Sequence, residues 1–244
     1  LTPIGGQLSQ SEPTVALRKA MCSWQSMESV ECVILAAGTW CEPRIVQRLI
    51  AQATSVLACD GALDACIAHG IHVTEVIGDL DSVSEAGLKA HIANGGDVHQ
   101  FQSQESNDLE KALGLLEERK ETACAVIGAT GGDAQHEWAN LMACGASELD
   151  ITCEAPEQTY RFFNPGGPYS IECEEGSVFS LFALQETKSV TLHGAKYPLV
   201  DECLRMGSRG LHNVADSGHL SLSFTSGRLM LLVPRSMTRQ EERT

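Results

Sequence analysis

Aromatic residues make up only 5% of this 244-residue chain, and basic ones are scarce: 17 Lys and Arg stand against 32 Asp and Glu, a formal net charge of −15. With no basic stripe and few rings to stack on bases, nucleic acid is excluded as an expected partner. No run of about 18 apolar residues occurs, so no membrane-spanning helix is expected. Eight prolines, no Gly-X-Y period and no internal repeat exclude collagen-like, low-complexity and solenoid chains. The ten cysteines contain no C-x-x-C pair and no patterned His pair follows them, so a zinc site is not expected. Cys32, Cys59, Cys124 and Cys153 lie in apolar runs, where a reduced thiol behaves as a small hydrophobe. That usage fits a reducing, intracellular setting. Residues 1–29 lack a charged-then-apolar leader pattern, so a cytoplasmic location is expected, with a processed organellar form left open.

What is present is a regular alternation. Apolar runs of strand length at Cys32–Ala37, Ser55–Cys59, Val73–Ile77, Val98–Phe101, Ala123–Ile127 and Leu149–Cys153 are separated by helix-length stretches near 42–53, 61–69, 84–93, 106–120 and 134–146. Strands alternating with helices predict βαβ units around a parallel sheet. Near-continuous runs such as "ACAVIGA" suit strands covered on both faces. After Cys153 the texture changes. "PEQTYRFFNPGGPYS" reads as a boundary with turns, and short β-type segments follow at Tyr169–Cys173, Ser177–Phe182, Ser189–Leu192, His219–Phe224 and Arg228–Val233. The expected organisation is a tail over 1–29, an α/β domain over 30–155, a smaller all-β sandwich over 156–236 and a short tail over 237–244.

Ligands of open α/β sheets bind beyond the carboxyl ends of the strands. Here four successive strand ends deliver Asp60-Gly61, "GDLDS" at 78–82, "QESND" at 104–108 and "GATGGD" at 128–133. Asp79 and Asp81, two residues apart, point the same way in extended backbone. Two adjacent carboxylates resist joint ionisation without a cation, and Mg²⁺ commonly takes one or two carboxylates plus substrate phosphates. In "SNDLEKAL", Ser106 or Asn107 is the N-cap, with Leu109, Ala112, Leu113 and Leu116 as the buried stripe. Asp108 then falls in the first turn and Lys111 one turn on, within reach of a phosphate. The glycines at 131 and 132 open a helix whose start could cradle a phosphate or face an adenine, with His136 nearby, although the loop is neither a Walker A loop nor G-x-G-x-x-G. In the β part, Tyr197 offers a ring for stacking, Ser208 and Asn213 offer hydrogen bonds to a heterocycle, and Arg209 a phosphate contact.

These elements together resemble the thiamine pyrophosphokinase family. The carriers are "ACDGALD" at 58–64, "VIGDLDSV" at 76–83, "QESNDLEKAL" at 104–113, "GATGGDAQHEWANL" at 128–141, "GAKYPL" at 194–199 and "GSRGLHN" at 207–213. The resemblance implies an ATP-dependent diphosphotransferase making thiamine diphosphate and AMP from thiamine and ATP. It implies Asp79, Asp81 and Asp108 as the Mg²⁺ and polyphosphate group and Asp60 as an active-site carboxylate. Gln104, Asn107, Lys111, Gly131, Gly132 and His136 fall near the nucleotide, and Tyr197, Ser208 and Asn213 near thiamine. A homodimer with sites at the subunit interface is implied as well. The chain departs from the family pattern at Glu105 where an Asp is common, at Asn107 where a Thr is common, at Asp133 where an Arg is common, at Gln135 where an Asp is common, and at His212 where a Ser is common. Those departures keep two alternatives in view: a pyrophosphokinase for another hydroxymethyl heterocycle, such as a pterin, and a non-catalytic binding homologue.

Overall fold

The computed structural model describes residues 30–103 and 105–235. Six strands form a parallel array: β1 (Cys32–Leu35), β2 (Ser55–Cys59), β3 (Glu75–Gly78), β4 (Asp97–Gln100), β5 (Ala123–Ile127) and β6 (Asp150–Glu154), in the order β6-β5-β1-β2-β3-β4. The intervening helices are α1 (Pro43–Gln52), α2 (Asp60–Ala68), α3 (Glu85–Ala93), α4 (Asp108–Glu118) and α5 (Ala134–Ala146). Side chains alternate across each strand, so both faces of the central strands are buried. Cys32, Ile34, Leu57, Cys59, Cys124 and Val126 share one core with Leu109, Leu113 and Leu116 of α4 and Cys144 of α5. Val33, Leu35, Val56, Ala58 and Ile127 share the other with Val46 and Leu49 of α1 and Leu63 of α2. Emptying a position such as Leu116, which is fully buried, costs about 2–5 kcal/mol.

The sequence-predicted α/β elements are present, with ends shifted by a residue or two: β1 stops at Leu35, and β3 begins at Glu75 instead of Val73. The connections leaving β1 and β5 run to helices on opposite faces, so their loops splay apart at the strand tips. That is the switch point at which open sheets hold ligands.

The β part is joined to this sheet more closely than the change in texture near residue 155 suggests. β7 (Gln158–Phe163) pairs antiparallel with β6, and β14 (Leu229–Pro234), β9 (Val178–Ala183) and β12 (Asn213–Val214) follow, giving one ten-stranded sheet, β12-β9-β14-β7-β6-β5-β1-β2-β3-β4. A four-stranded antiparallel sheet, in the order β11-β10-β13-β8, covers it. Its members are β8 (Gly166–Glu172), β10 (Thr187–His193), β11 (Leu199–Leu204) and β13 (His219–Phe224). The sandwich core is Phe163, Phe179, Leu181, Leu229 and Leu231 against Ile171, Val190, Leu192, Leu220 and Leu222. The segment read as a boundary with turns therefore contains a strand. In β7, Tyr160 and Phe162 face the α4–α5 core while Phe163 faces the sandwich. Flanking prolines at 156 and 165 had hidden it.

Candidate active site

Asp60 follows the last residue of β2 and starts α2, and it is 2% exposed. Its carboxylate accepts the Gly61 N–H at 2.6 Å and the Leu80 N–H at 2.8 Å, tying the tip of β2 to the loop after β3. In that loop Asp79 and Asp81 do not lie on extended backbone as expected. β3 ends at Gly78, and Leu80 turns the chain with a φ of 70°. The turn still brings the carboxylates together. One oxygen each from Asp60, Asp79 and Asp81 lies within 4.8 Å of the others. Ser82 Oγ donates to Asp81 at 2.8 Å, which helps fix that side chain.

Three acidic oxygens at this spacing, one set buried, are a donor set suited to a hard divalent cation. The gathered group differs from the expected Asp79, Asp81 and Asp108. Asp108 lies in the first turn of α4, where Lys111, one turn on, donates to it at 2.9 Å. The Lys111 side chain is only 7% exposed, so this pair is a fixed part of the cavity wall. Asp60 enters the group instead because β2 and β3 are sheet neighbours. Burial, and then the charge of nearby Asp108, push the Asp60 carboxyl up to about 6 from an ordinary 3.8.

The carboxylates line a cavity of about 720 Å³ at the strand tips. Its other wall is the loop after β5 and the start of α5, with Gly131, Gly132, Asp133, His136 and Asn140. Asn107 is the N-cap of α4, as expected, and accepts the Glu110 N–H at 2.9 Å. Its Nδ2 donates to Asn140 Oδ1 at 2.9 Å, and Asn140 Nδ2 donates to the Ala129 carbonyl at 2.9 Å. Asn140 thus clamps the start of α4 to the glycine loop. Sequence reasoning missed it; the available signal was its place one turn after His136 on α5. The Gly131 N–H, expected to face a phosphate, is taken by Glu137 at 2.9 Å. Asp133 caps α5, accepting the N–H groups of Gln135 and His136 at 2.8 and 3.1 Å, and these bonds hold its carboxyl below the usual range. The departure from Arg at this position therefore supplies a helix cap.

The expected thiamine-side residues lie on the β part and do not line this cavity. Tyr197 is 61% exposed and Ser208 is exposed. Asn213 is buried and its amide is engaged locally: Oδ1 accepts the Tyr197 and Val214 N–H groups, and Nδ2 donates to the Tyr197 carbonyl. It shapes the turn that presents Tyr197. Arg209 pairs with Glu202 at 3.1 Å. Gln104 and the tails at 1–29 and 237–244 lie outside the described residues.

Residues 46–152 match the family description "Thiamin pyrophosphokinase, catalytic domain", and residues 169–229 match "Thiamin pyrophosphokinase, vitamin B1 binding domain". The chain is 28% identical over 170 residues to thiamine pyrophosphokinase of Bacillus subtilis (strain 168), a match covering 67% of this chain and 79% of that relative. Its fold is similar to the crystal structure of the Bacillus subtilis enzyme, with a TM-score of 0.70 at 23% identity over 84% of this chain and 100% of that one. It is also similar to thiamin pyrophosphokinase from Candida albicans, with a TM-score of 0.69 at 11% identity over 85% and 90% of the two chains. A parallel sheet with carboxylates at its tips, continued into an antiparallel sandwich, here belongs to the diphosphotransferases. Within that class, the chain is a member of the thiamine pyrophosphokinase family.

Proposed function

We propose that the chain transfers the diphosphate of ATP to the hydroxyl of thiamine, giving thiamine diphosphate and AMP. The observation that carries this reading is the group of three carboxylate oxygens within 4.8 Å, set in a cavity at the tips of a parallel sheet. Asp60, Asp79 and Asp81 fit a hard divalent cation such as Mg²⁺, which supplies neutralising charge to a polyphosphate when bound.

The rest of the chemistry falls to side chains of the chain. The thiamine hydroxyl oxygen attacks the β-phosphorus, the bond from that phosphorus to the α-phosphate oxygen breaks, and AMP leaves. Lys111 is the Lys or Arg of the cavity lining among the described residues and offers a fixed positive charge to the phosphates. Gly132, with a φ of 113° and open space where a side chain would stand, lets a phosphate approach the start of α5. The hydroxyl proton goes to a carboxylate of the cavity wall.

Thiamine binding is assigned to the β part, and a homodimer to solution. Two features support this. Tyr197 and Ser208 lie away from the chain's own acidic cavity, and Tyr197, Val200, Met206 and Leu211 leave apolar surface exposed on the β part. A cytoplasmic location goes with the buried thiols among the described residues, such as Cys32, Cys59, Cys124 and Cys153. The test is AMP production from thiamine, ATP and Mg²⁺, with and without chelator. Chelator-sensitive AMP formation that requires thiamine is expected. Binding of both ligands with no AMP formed refutes the catalytic reading.

A further inference from the structure

A second cavity, of about 250 Å³, lies beside the acidic one. The two share Ala36, Ala37, Gly38 and Gly61 at the tips of β1 and β2. Their linings differ in kind. The larger is lined by carboxylates and glycines, and among the described residues its lining includes no Phe, Tyr or Trp. The smaller is lined by alanine methyls, the Trp40 indole and the His69 ring. We propose that this smaller cavity seats the purine of the donor nucleotide, with Trp40 as its stacking wall, while the phosphates lie over the carboxylates. The proposal rests on the nucleotide-dependent transfer set out above and extends it to the recognition of the base.

The indole is set in place by the protein itself. Its Nε1–H donates to the Ala36 carbonyl at 2.9 Å, and the ring packs so close to Gly128 that a Cβ there would lie 2.9 Å from it. Gly128 has a φ of 76°, which favours glycine on backbone grounds also. His69, the C-cap residue of α2, lies with its ring centroid 5.5 Å from that of Trp40. Ala62 and Ala65 of α2, with the C-cap His69 seven residues after Ala62, line the cavity beside the indole. A planar, apolar-faced ring suits such a slot, whereas a phosphate finds no Lys or Arg among the described residues of its lining. The passage between the cavities runs past Gly61, where a side chain would stand 3.3 Å from the Ala37 methyl. A ribose linking base to phosphates needs that gap open.

The experiment is calorimetric titration of the full chain with ATP and with inorganic tripolyphosphate, each with Mg²⁺ and without thiamine. Loss of a stacking partner is expected to weaken ATP binding by about tenfold or more in Trp40→Ala, while tripolyphosphate binding stays at the wild-type value. Trp40→Phe retains most of the ATP affinity. Should Trp40→Ala fail to fold, Ala65→Leu, which fills the slot from exposed positions of α2, must give the same base-selective loss. Equal ATP affinity in wild type, Trp40→Ala and Ala65→Leu overturns the seat alone, as does equal loss for both ligands. A wild-type chain that binds neither ligand overturns the seat and the nucleotide-dependent function together.

Discussion

The Asp60 carboxylate fills the space that a side chain on Gly78 would need. A Cβ built on Gly78 would stand 2.7 Å from Asp60 Cγ, and the residue has a φ of 155°. The end of β3 is thus a glycine because the buried acid at the end of β2 leans across it to reach the Leu80 N–H. Gly78→Ala is expected to displace Asp60, lower stability by about 1–3 kcal/mol and reduce turnover at least tenfold. Urea denaturation and the AMP assay check the two effects. Wild-type activity in this variant would show that the position of Asp60 does not matter.

Asp81 is more exposed than Asp60 and contributes little to packing, so it separates ligand binding from folding. Asp81→Asn keeps the size of the side chain and removes its charge. Divalent-cation affinity is expected to fall and AMP production to drop by about a hundredfold or more, with the denaturation midpoint within experimental error of wild type. Manganese titration followed by electron paramagnetic resonance reads the first effect. Unchanged affinity would assign the cation to other residues.

The raised carboxyl of Asp60 gives cation binding a pH dependence of defined sign. A proton favoured by burial and by Asp108 competes with the cation, so affinity is highest above pH 6 and declines as pH falls through about 6. Below that point the loss approaches tenfold per pH unit for one competing proton. Without cation the sign reverses for stability. Ionising Asp60 in its buried place costs free energy, so the apo chain loses this contribution as pH rises through about 6. In Asp60→Asn both pH dependences should flatten. Calorimetry at pH 5, 6 and 7 tests the cation arm, and a flat wild-type profile contradicts it.

How much of this was legible before the structure follows from the range of each interaction. The strands of the parallel array were readable because burial on both faces leaves nearly unbroken apolar runs, as in Ala123–Ile127. The N-cap at Asn107 and the α4 stripe were readable because capping and helical periodicity act within a few residues. β7 was not, since its cues lie between two prolines and its partner strands β6 and β14 come from both sides of it in the chain. The same limit applies to the site. Asp79 and Asp81 announced themselves by spacing. The entry of Asp60 into their group depends on β2 lying beside β3, and the clamp at Asn140 joins residues 33 apart. Trp40 and His69 meet only because α2 packs beside the tip of β1.

At the opposite end of β3 from the carboxylate group, Glu75 is buried between Arg119 and His99. It accepts from Arg119 Nη1 at 2.8 Å, from Nη2 at 2.5 Å, and lies 2.7 Å from His99 Nε2. Arg119 is the C-cap residue of α4, so this bidentate pair fastens the end of that helix to the first residue of β3. The hydrogen bonds from Arg119, with those of His99, hold the Glu75 carboxyl below its ordinary 4.5 despite burial, which acts the other way. A depressed acid stabilises the fold above its ordinary value, and that contribution fades as pH falls through 4.5 and on to the folded-state value. Glu75→Gln is therefore expected to cost about 1–3 kcal/mol at pH 7. The gap from wild type should narrow steadily from about pH 5 downward, since protonation then removes in the wild type the charge the variant already lacks. Urea denaturation of both proteins at pH 7, 5, 4 and 3 measures the gap directly. A difference that stays constant across that series would mean the pair acts through shape and not through charge.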